Sequence, residues 1–235
     1  MLINGTPVNL YGAKQLTVDF APSTQNITYE WNPGARLPLL VDQRVTFKEL
    51  TVVLKVTGSS RQEVNRNISR LHALAAGEAQ YKLDGYKGWV FIGVLQENPT
   101  AKKTVDPGVY KMTIKATGYM RDEEQQVIEI GRKSQEYVFA EGTRDTPVMI
   151  EITPEFDLAT FGIYGIAERG IEIKNLTKGH TIYIDGLTGT VTQDGQNKFN
   201  DVVMFEFPHL QAGEQLITFS ENVCNITLRY YPMWL

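Results

Sequence analysis

An alternation of apolar and polar residues runs through nearly all of this 235-residue chain and continues to its last segment. In Asn225-Ile-Thr-Leu-Arg-Tyr-Tyr231, Ile226, Leu228 and Tyr230 alternate with Thr227, Arg229 and Tyr231. That is the period of a strand with one face in a core. Pro232 then stops the ladder, since it has no amide to donate. A chain that ends on a half-buried strand and large aromatics is expected to be a β-sandwich whose last strand closes the fold. Short strands with turn signals recur through the second half at the spacing of an all-β sandwich: Val148–Thr153, Phe161–Tyr164, Gly170–Leu176, His180–Asp185, Thr188–Thr192, Met204–Phe207, Glu214–Phe219 and Val223–Tyr230. Asp185-Gly186 and Asp194-Gly195 mark hairpin turns between them.

The first half reads as strands around one helix. Ser60 and Glu63 fit a capping box, and Val64, Ile68, Leu71, Leu74 and Ala75 form one apolar stripe over about 60–76, stopped by Gly77. Val45–Thr57 carries apolar residues on two phases, a slip that a β-bulge at Lys48-Glu49 would absorb. Trp89–Gln96 is apolar on both faces, as expected of a strand covered on both sides or facing a neighbouring subunit. Residues 22–44 hold few core positions around the turn Asn32-Pro33-Gly34 and read as a projecting hairpin arm. Such an arm is marginal in water alone, so Tyr29, Trp31, Leu37 and Leu39, with Trp89 and Phe91, are the candidate interface between subunits. The expected fold is mainly β: an N-terminal sandwich-like domain (1–140) with one helix and the arm, followed by a β-sandwich (141–235). The boundary is placed at the polar segment Glu141–Pro147, where the charge balance changes. Residues 1–140 carry 17 Lys+Arg against 14 Asp+Glu, and residues 141–235 carry 6 against 13.

Composition narrows the function classes. With 42% apolar and 21% charged residues the chain folds rather than staying disordered. Neither half is basic enough for sequence-specific nucleic-acid recognition. The single cysteine, Cys224, excludes an internal disulfide and reads as a small buried side chain at a strand start. The N-terminus lacks a secretory pattern, and the longest apolar run, Trp89 to Leu95, is too short to cross a bilayer. His72, His180 and His209 share no close-spaced motif with a nucleophile, no metal-ligand spacing occurs, and no phosphate loop opens the helix, so no catalytic, metal or cofactor site is expected. Glu151, Glu155 and Asp157 could be cast as glycosidase carboxylates, but acids on the wet face of strands explain them as well. The alternative function is a lectin-like module in which Tyr164, Tyr183, Tyr231 and Trp234 contact saccharide beside Asn197 or Asn200.

Several segments in order resemble the distal tail (Dit) proteins of long, non-contractile-tailed phages. These are Gly58-Ser-Ser-Arg-Gln-Glu-Val64 with Asn67-Ile68 and Leu71, then Ala79-Gln-Tyr-Lys-Leu-Asp-Gly85, and Tyr110–Tyr119. In the second half, Ile171–Gly179, Gly189–Gly195, Glu206–Gly213 and Ile226–Leu235 are similar to that family's galectin-like sandwich. The resemblance implies a structural virion protein at the distal end of the tail, made in a bacterial host cytoplasm. It implies a homohexameric ring that joins the tail tube protein to a tail tip or baseplate hub, near the tape-measure protein. DNA would pass through its channel without specific binding, and a receptor-binding protein or host saccharide would be a further partner.

Overall fold

The computed structural model describes residues 1–23 and 25–235, with Gln25, Asn26 and 42–45 described by backbone alone; Thr24, inside the expected arm, lies outside the described residues. The chain forms two compact units, Met1–Arg121 with Leu235, and Asp122–Trp234.

In the first unit the strands form one sheet in the order Thr6–Pro7, Leu2–Ile3, Glu78–Lys82, Trp89–Leu95, Val109–Asp122, Lys48–Thr57 and Ala13–Ala21, with Thr100–Lys103 also on Val109–Asp122. Register follows the hydrophobic alternation. Met112, Ile114 and Ala116 stand opposite Leu54, Val52 and Leu50, and all six are buried. Directly opposed residues point to the same side, so one face of the sheet becomes core and the other stays polar. The helix Arg61–Ala75 contributes Val64, Leu71 and Ala75 to that core. Half of the expected capping box forms: the Ser60 hydroxyl accepts the Glu63 amide at 3.2 Å, whereas the Glu63 carboxylate reaches one residue further back and accepts the Ser59 amide at 2.7 Å and the Ser59 hydroxyl. The Ser59 hydroxyl, and after it the Ser59 amide, hold the Glu63 carboxyl below its ordinary pKa. Asn67 shares the buried stripe and directs its side-chain amide to the Thr57 carbonyl, 3.4 Å away.

Two glycines fix how closely neighbouring strands approach. A Cβ on Gly118 would lie 1.9 Å from the Ile92 carbonyl oxygen, and one on Gly93 would lie 2.6 Å from that of Thr117. Both obstacles are backbone, which cannot step aside without breaking the sheet. The phase slip expected as a bulge at Lys48-Glu49 is instead a break: Leu39–Val45 ends, Thr46 and Phe47 intervene, and a new strand starts at Lys48. A register shift occurs between Gln15 and Thr17, leaving Leu16 largely exposed.

The second unit is a β-sandwich. One sheet runs Gln126–Gly131, Cys224–Tyr230, Thr146–Pro154, Ile182–Asp185, Thr190–Gln193 and Gln196–Asn197; the other runs Gln135–Ala140, Gly213–Phe219, Leu158–Tyr164, Ile171–Leu176 and Val202–Val203. Side chains from both inner faces, among them Ile150, Ile152, Leu228, Phe161, Ile173 and Phe219, make one core. The closing strand is where the sequence pattern put it. Ile226, Leu228 and Tyr230 oppose Ile152, Ile150 and Val148, and Leu228 also opposes Ile128. Past Pro232, whose carbonyl accepts the Asp122 amide at 3.0 Å, the Trp234 indole N–H donates to the Asp122 carboxylate at 2.9 Å.

Three details differ from the sequence reading. Strands Gln126–Gly131 and Gln135–Ala140, assigned from sequence to the first domain, pair with the closing strand and with Gly213–Phe219. The polar segment read as a linker is a loop tied into the second unit: the Glu141 amide donates to the Tyr230 hydroxyl at 3.3 Å, and the Thr143 amide to the Met233 carbonyl at 2.9 Å. Residues 204–207 are irregular rather than a strand, and Phe205 and Phe207 are exposed there. Dividing the chain where its contacts divide it sharpens the charge contrast. Residues 1–121 hold 15 Lys+Arg against 9 Asp+Glu, and residues 122–234 hold 8 against 18.

Gly118→Ala is expected to destabilise the protein by about 1–3 kcal/mol, the cost of forcing atoms into a filled site. Ser60→Ala should cost about 1 kcal/mol through the lost helix cap. Urea unfolding of the two variants measures both, and a Gly118→Ala variant as stable as the parent would contradict the close strand approach.

Candidate assembly surface

The expected arm is a hairpin of Gln25–Glu30 and Leu39–Val45 that forms a two-stranded sheet of its own. The chain turns at 32–35, where the Ala35 amide donates to the Asn32 carbonyl at 2.9 Å. Its register pairs Tyr29 with Leu40 and Glu30 with Leu39, with a shift between Thr28 and Tyr29. Tyr29 and Leu39, grouped in the sequence reading, therefore lie on opposite faces of the ribbon. Leu40 and Ile27 join Tyr29 on one face, a grouping only the register reveals. Trp31 (61% exposed) and Leu37 (79% exposed) flank the turn. Ile27, Tyr29, Leu39, Leu40 and Val41 are all exposed, so the ribbon offers apolar side chains on both faces to solvent. Scattered surface apolar residues are ordinary, but seven of them gathered on one two-stranded ribbon make it a candidate interaction surface.

The doubly apolar strand resolves differently. Phe91 is fully buried, its ring 6.0 Å from Phe20 and 6.1 Å from Tyr81, so it is a core residue and offers nothing to a neighbour. Trp89 at the start of the same strand is partly exposed. Sequence periodicity could not separate the two, because an apolar run looks the same whether its second face meets its own subunit or another.

Of the four aromatics considered for saccharide, Tyr164 and Tyr183 do not converge. Tyr183 alternates with buried Ile182 and Ile184, and Tyr164 follows buried Ile163, each on a different sheet of the sandwich. Both point away from the shared core and hence in opposite directions. The polar atom of Trp234 is committed to Asp122, and the Asn197 side chain accepts the Phe199 amide at 2.8 Å. A surface the sequence reading missed is the outer face of the Gln135–Ala140 edge strand, where Tyr137 and Phe139 are exposed and Tyr137 stands opposite Leu216. The signal was present, as these two alternate with buried Val138 and Ala140.

The carboxylates weighed as an acid–base pair have structural partners. Glu151 accepts from the Arg229 Nε at 2.6 Å, a pairing that raises the pKa of the arginine, and Glu155 pairs with Arg132. Asp157 accepts the Lys178 amide at 2.7 Å. Cys224 is buried, and burial, with the Glu221 charge adding to it, pushes its thiol up to about 12. Among the described residues no group of His, Cys, Asp and Glu is placed to hold a metal ion, and no helix is long and apolar enough to cross a membrane.

A family model described as "Siphovirus-type tail component, C-terminal domain" matches residues 141–234. That stretch of the chain is similar to the C-terminal domain of siphovirus-type tail components. The fold match extends over both units. The crystal structure of SPP1 Dit (gp 19.1), described as a paradigm of the hub adsorption apparatus in Gram-positive infecting phages, superposes with a TM-score of 0.76 at 12% identity, covering 100% of this chain and 98% of that one. A chain of the phage P2 baseplate in its activated conformation with Ca matches with a TM-score of 0.53 at 10% identity, covering 94% of this chain and 90% of that one. Comparison with curated proteins finds no match. The distal-tail resemblance carried by scattered sequence segments is thus supported by a family match in the second half and by a shared fold throughout.

With its pKa pushed up to about 12 and its side chain enclosed, Cys224 is expected to resist iodoacetamide at pH 8.5, where an ordinary thiol is about half ionised. Mass spectrometry should find it unlabelled in native protein and labelled in urea. Rapid native labelling would contradict the packing of the closing strand.

Proposed function

We propose that this tail component is a distal tail protein whose copies close into a homohexameric ring joining the tail tube to the tail tip or baseplate, around a channel for DNA. The observation that carries the reading is the arm. Seven exposed apolar residues, Ile27, Tyr29, Trp31, Leu37, Leu39, Leu40 and Val41, sit on a ribbon whose strands, among the described residues, pair only with each other. A ring requires heterologous contacts, in which one patch of a subunit meets a different patch of the next. An extended ribbon with apolar side chains on both faces suits this, because it can be gripped from two sides without having an internal core to lose. Tyr29 with Leu40 on one face, and Trp31 with Leu37 at the tip, are the anchors, aromatic and branched side chains of the kind that carry most interface energy.

The role is structural. Residues 141–234 are similar to a tail component domain, and the carboxylates and the thiol that chemistry would need are tied into the fold. The tail tube protein, the tape-measure protein and the baseplate hub are the partners this position at the distal end of the tail entails.

Negative-stain microscopy and light scattering on the purified protein test the reading. The parent chain should give annular particles, while deletion of residues 26–40 should leave a folded monomer. A Tyr29→Lys/Leu40→Asp variant, which sets opposite rather than like charges across the ribbon, should likewise stop the ring while changing monomer stability by no more than about 0.5 kcal/mol, as expected for exposed positions. Annuli from the deletion variant would overturn the role of the arm.

A further inference from the structure

The register of the N-terminal sheet produces an arrangement that sequence separation conceals. Lys14 stands opposite Lys55, Lys55 opposite Lys111, and Lys111 opposite Lys102. Four lysines from four consecutive strands therefore lie in one straight row across the sheet, on the face turned away from Leu54, Val56 and Met112 of the core. At the ordinary spacing of about 4.8 Å between strands, the row spans roughly 14 Å. All four side chains are exposed, and among the described residues none of them makes an ion pair. The contrast with Lys115 is direct: on the same face, four residues along the strand from Lys111, it has Glu97 at 2.9 Å.

Like charges set directly opposite each other destabilise a sheet. Three such juxtapositions in one row, with no acid among them, are a local arrangement that folding does not favour. Such departures mark function more often than accident. The next row across the same strands is Thr17, Val53, Thr113 and Thr100. A shallow depression of about 610 Å³ lies over this part of the face, lined by Leu16, Val53, Thr113, Lys102 and Lys111 among others.

We infer that this face binds the sugar–phosphate backbone of double-stranded nucleic acid, weakly and without sequence preference. Lysine ammonium groups and threonine hydroxyls are the donors that phosphate oxygens take, and evenly spaced cations on a rigid sheet match a ligand whose charges are themselves evenly spaced. No aromatic side chain occurs in either row. A face for single strands would need rings on which unpaired bases could stack, so the arrangement favours the duplex. The row contains no base-reading geometry either, which agrees with the absence of a dense basic domain in the sequence. The inference rests on the sheet of a single subunit and is independent of ring closure.

The test is fluorescence anisotropy of a labelled mixed-sequence 20-base-pair duplex with the full-length protein, as salt is raised from 50 to 200 mM. With four phosphate contacts, affinity should fall about a hundredfold over that range; in Lys55→Gln/Lys111→Gln, with two contacts left, it should fall only about tenfold. A control with the same charge loss off the row, Lys48→Gln/Lys87→Gln, should keep the hundredfold dependence. The row variant should also melt at or above the parent temperature, since it relieves opposed charges, so weaker binding cannot come from unfolding. Equal effects of the two double variants, no binding of the duplex at 50 mM salt, tighter binding of oligo-dT, or tighter binding of polyglutamate would each overturn the proposal.

Discussion

The Cys224–Tyr230 strand holds the second unit together. It is hydrogen-bonded on one side to Gln126–Gly131 and on the other to Thr146–Pro154, so two segments about 20 residues apart in sequence are joined by a strand roughly 70–100 residues further along the chain. Its inward side chains Ile226, Leu228 and Tyr230 are nearly inaccessible to solvent. A one-residue slip would turn every one of them outward, which is why such a register is strongly specified. Because this strand lies between Gln126–Gly131 and Thr146–Pro154 in the sheet, those two strands face each other only as unpaired edges unless it is docked. The Tyr230 hydroxyl and the Met233 carbonyl then fasten the 141–143 loop, and Asp122 receives the indole of Trp234. Cys224, enclosed at the head of the strand, is a packing residue for the same reason.

What could be read from the sequence was whatever depends on local period. The closing strand, the Ser60 cap, the helix stripe and the hairpin around Asn32–Gly34 all follow from spacings of two or three to four residues. What could not be read was the identity of the partner. Gln126–Gly131 and Gln135–Ala140 have the right alternation, but nothing in them says that their neighbours lie about ninety residues further on, so the boundary was drawn too late. Phe91 reads like an interface residue because an apolar strand packed within its own subunit, here against Phe20 and Tyr81, has the same pattern as one covered by a neighbour. Residues 204–207 carry strand-like alternation, yet Phe205 stands exposed beneath the Arg169 guanidinium, 4.5 Å from its ring centroid. The lysine row is the extreme case. Lys14, Lys55, Lys102 and Lys111 are unremarkable one by one, and only the pairing of four strands makes them a feature.

The arm and the lysine row are both places where single-subunit folding is served poorly, for opposite physical reasons. The arm leaves apolar area in water, and the row sets like charges against each other. Their chain positions are also opposed: Ala13–Ala21 leads from the row at Lys14 toward the arm at Gln25, and Lys48–Thr57 returns from the arm to the row at Lys55. The same two strands thus carry an apolar attachment at one end and a cationic face at the other. Removing water from the arm requires a well-fitted partner and gives a long-lived contact, whereas screened lysines give contacts that form and dissolve readily. A rigid sheet of register-locked strands keeps these two kinds of surface apart, so neither has to be disturbed for the other to be engaged.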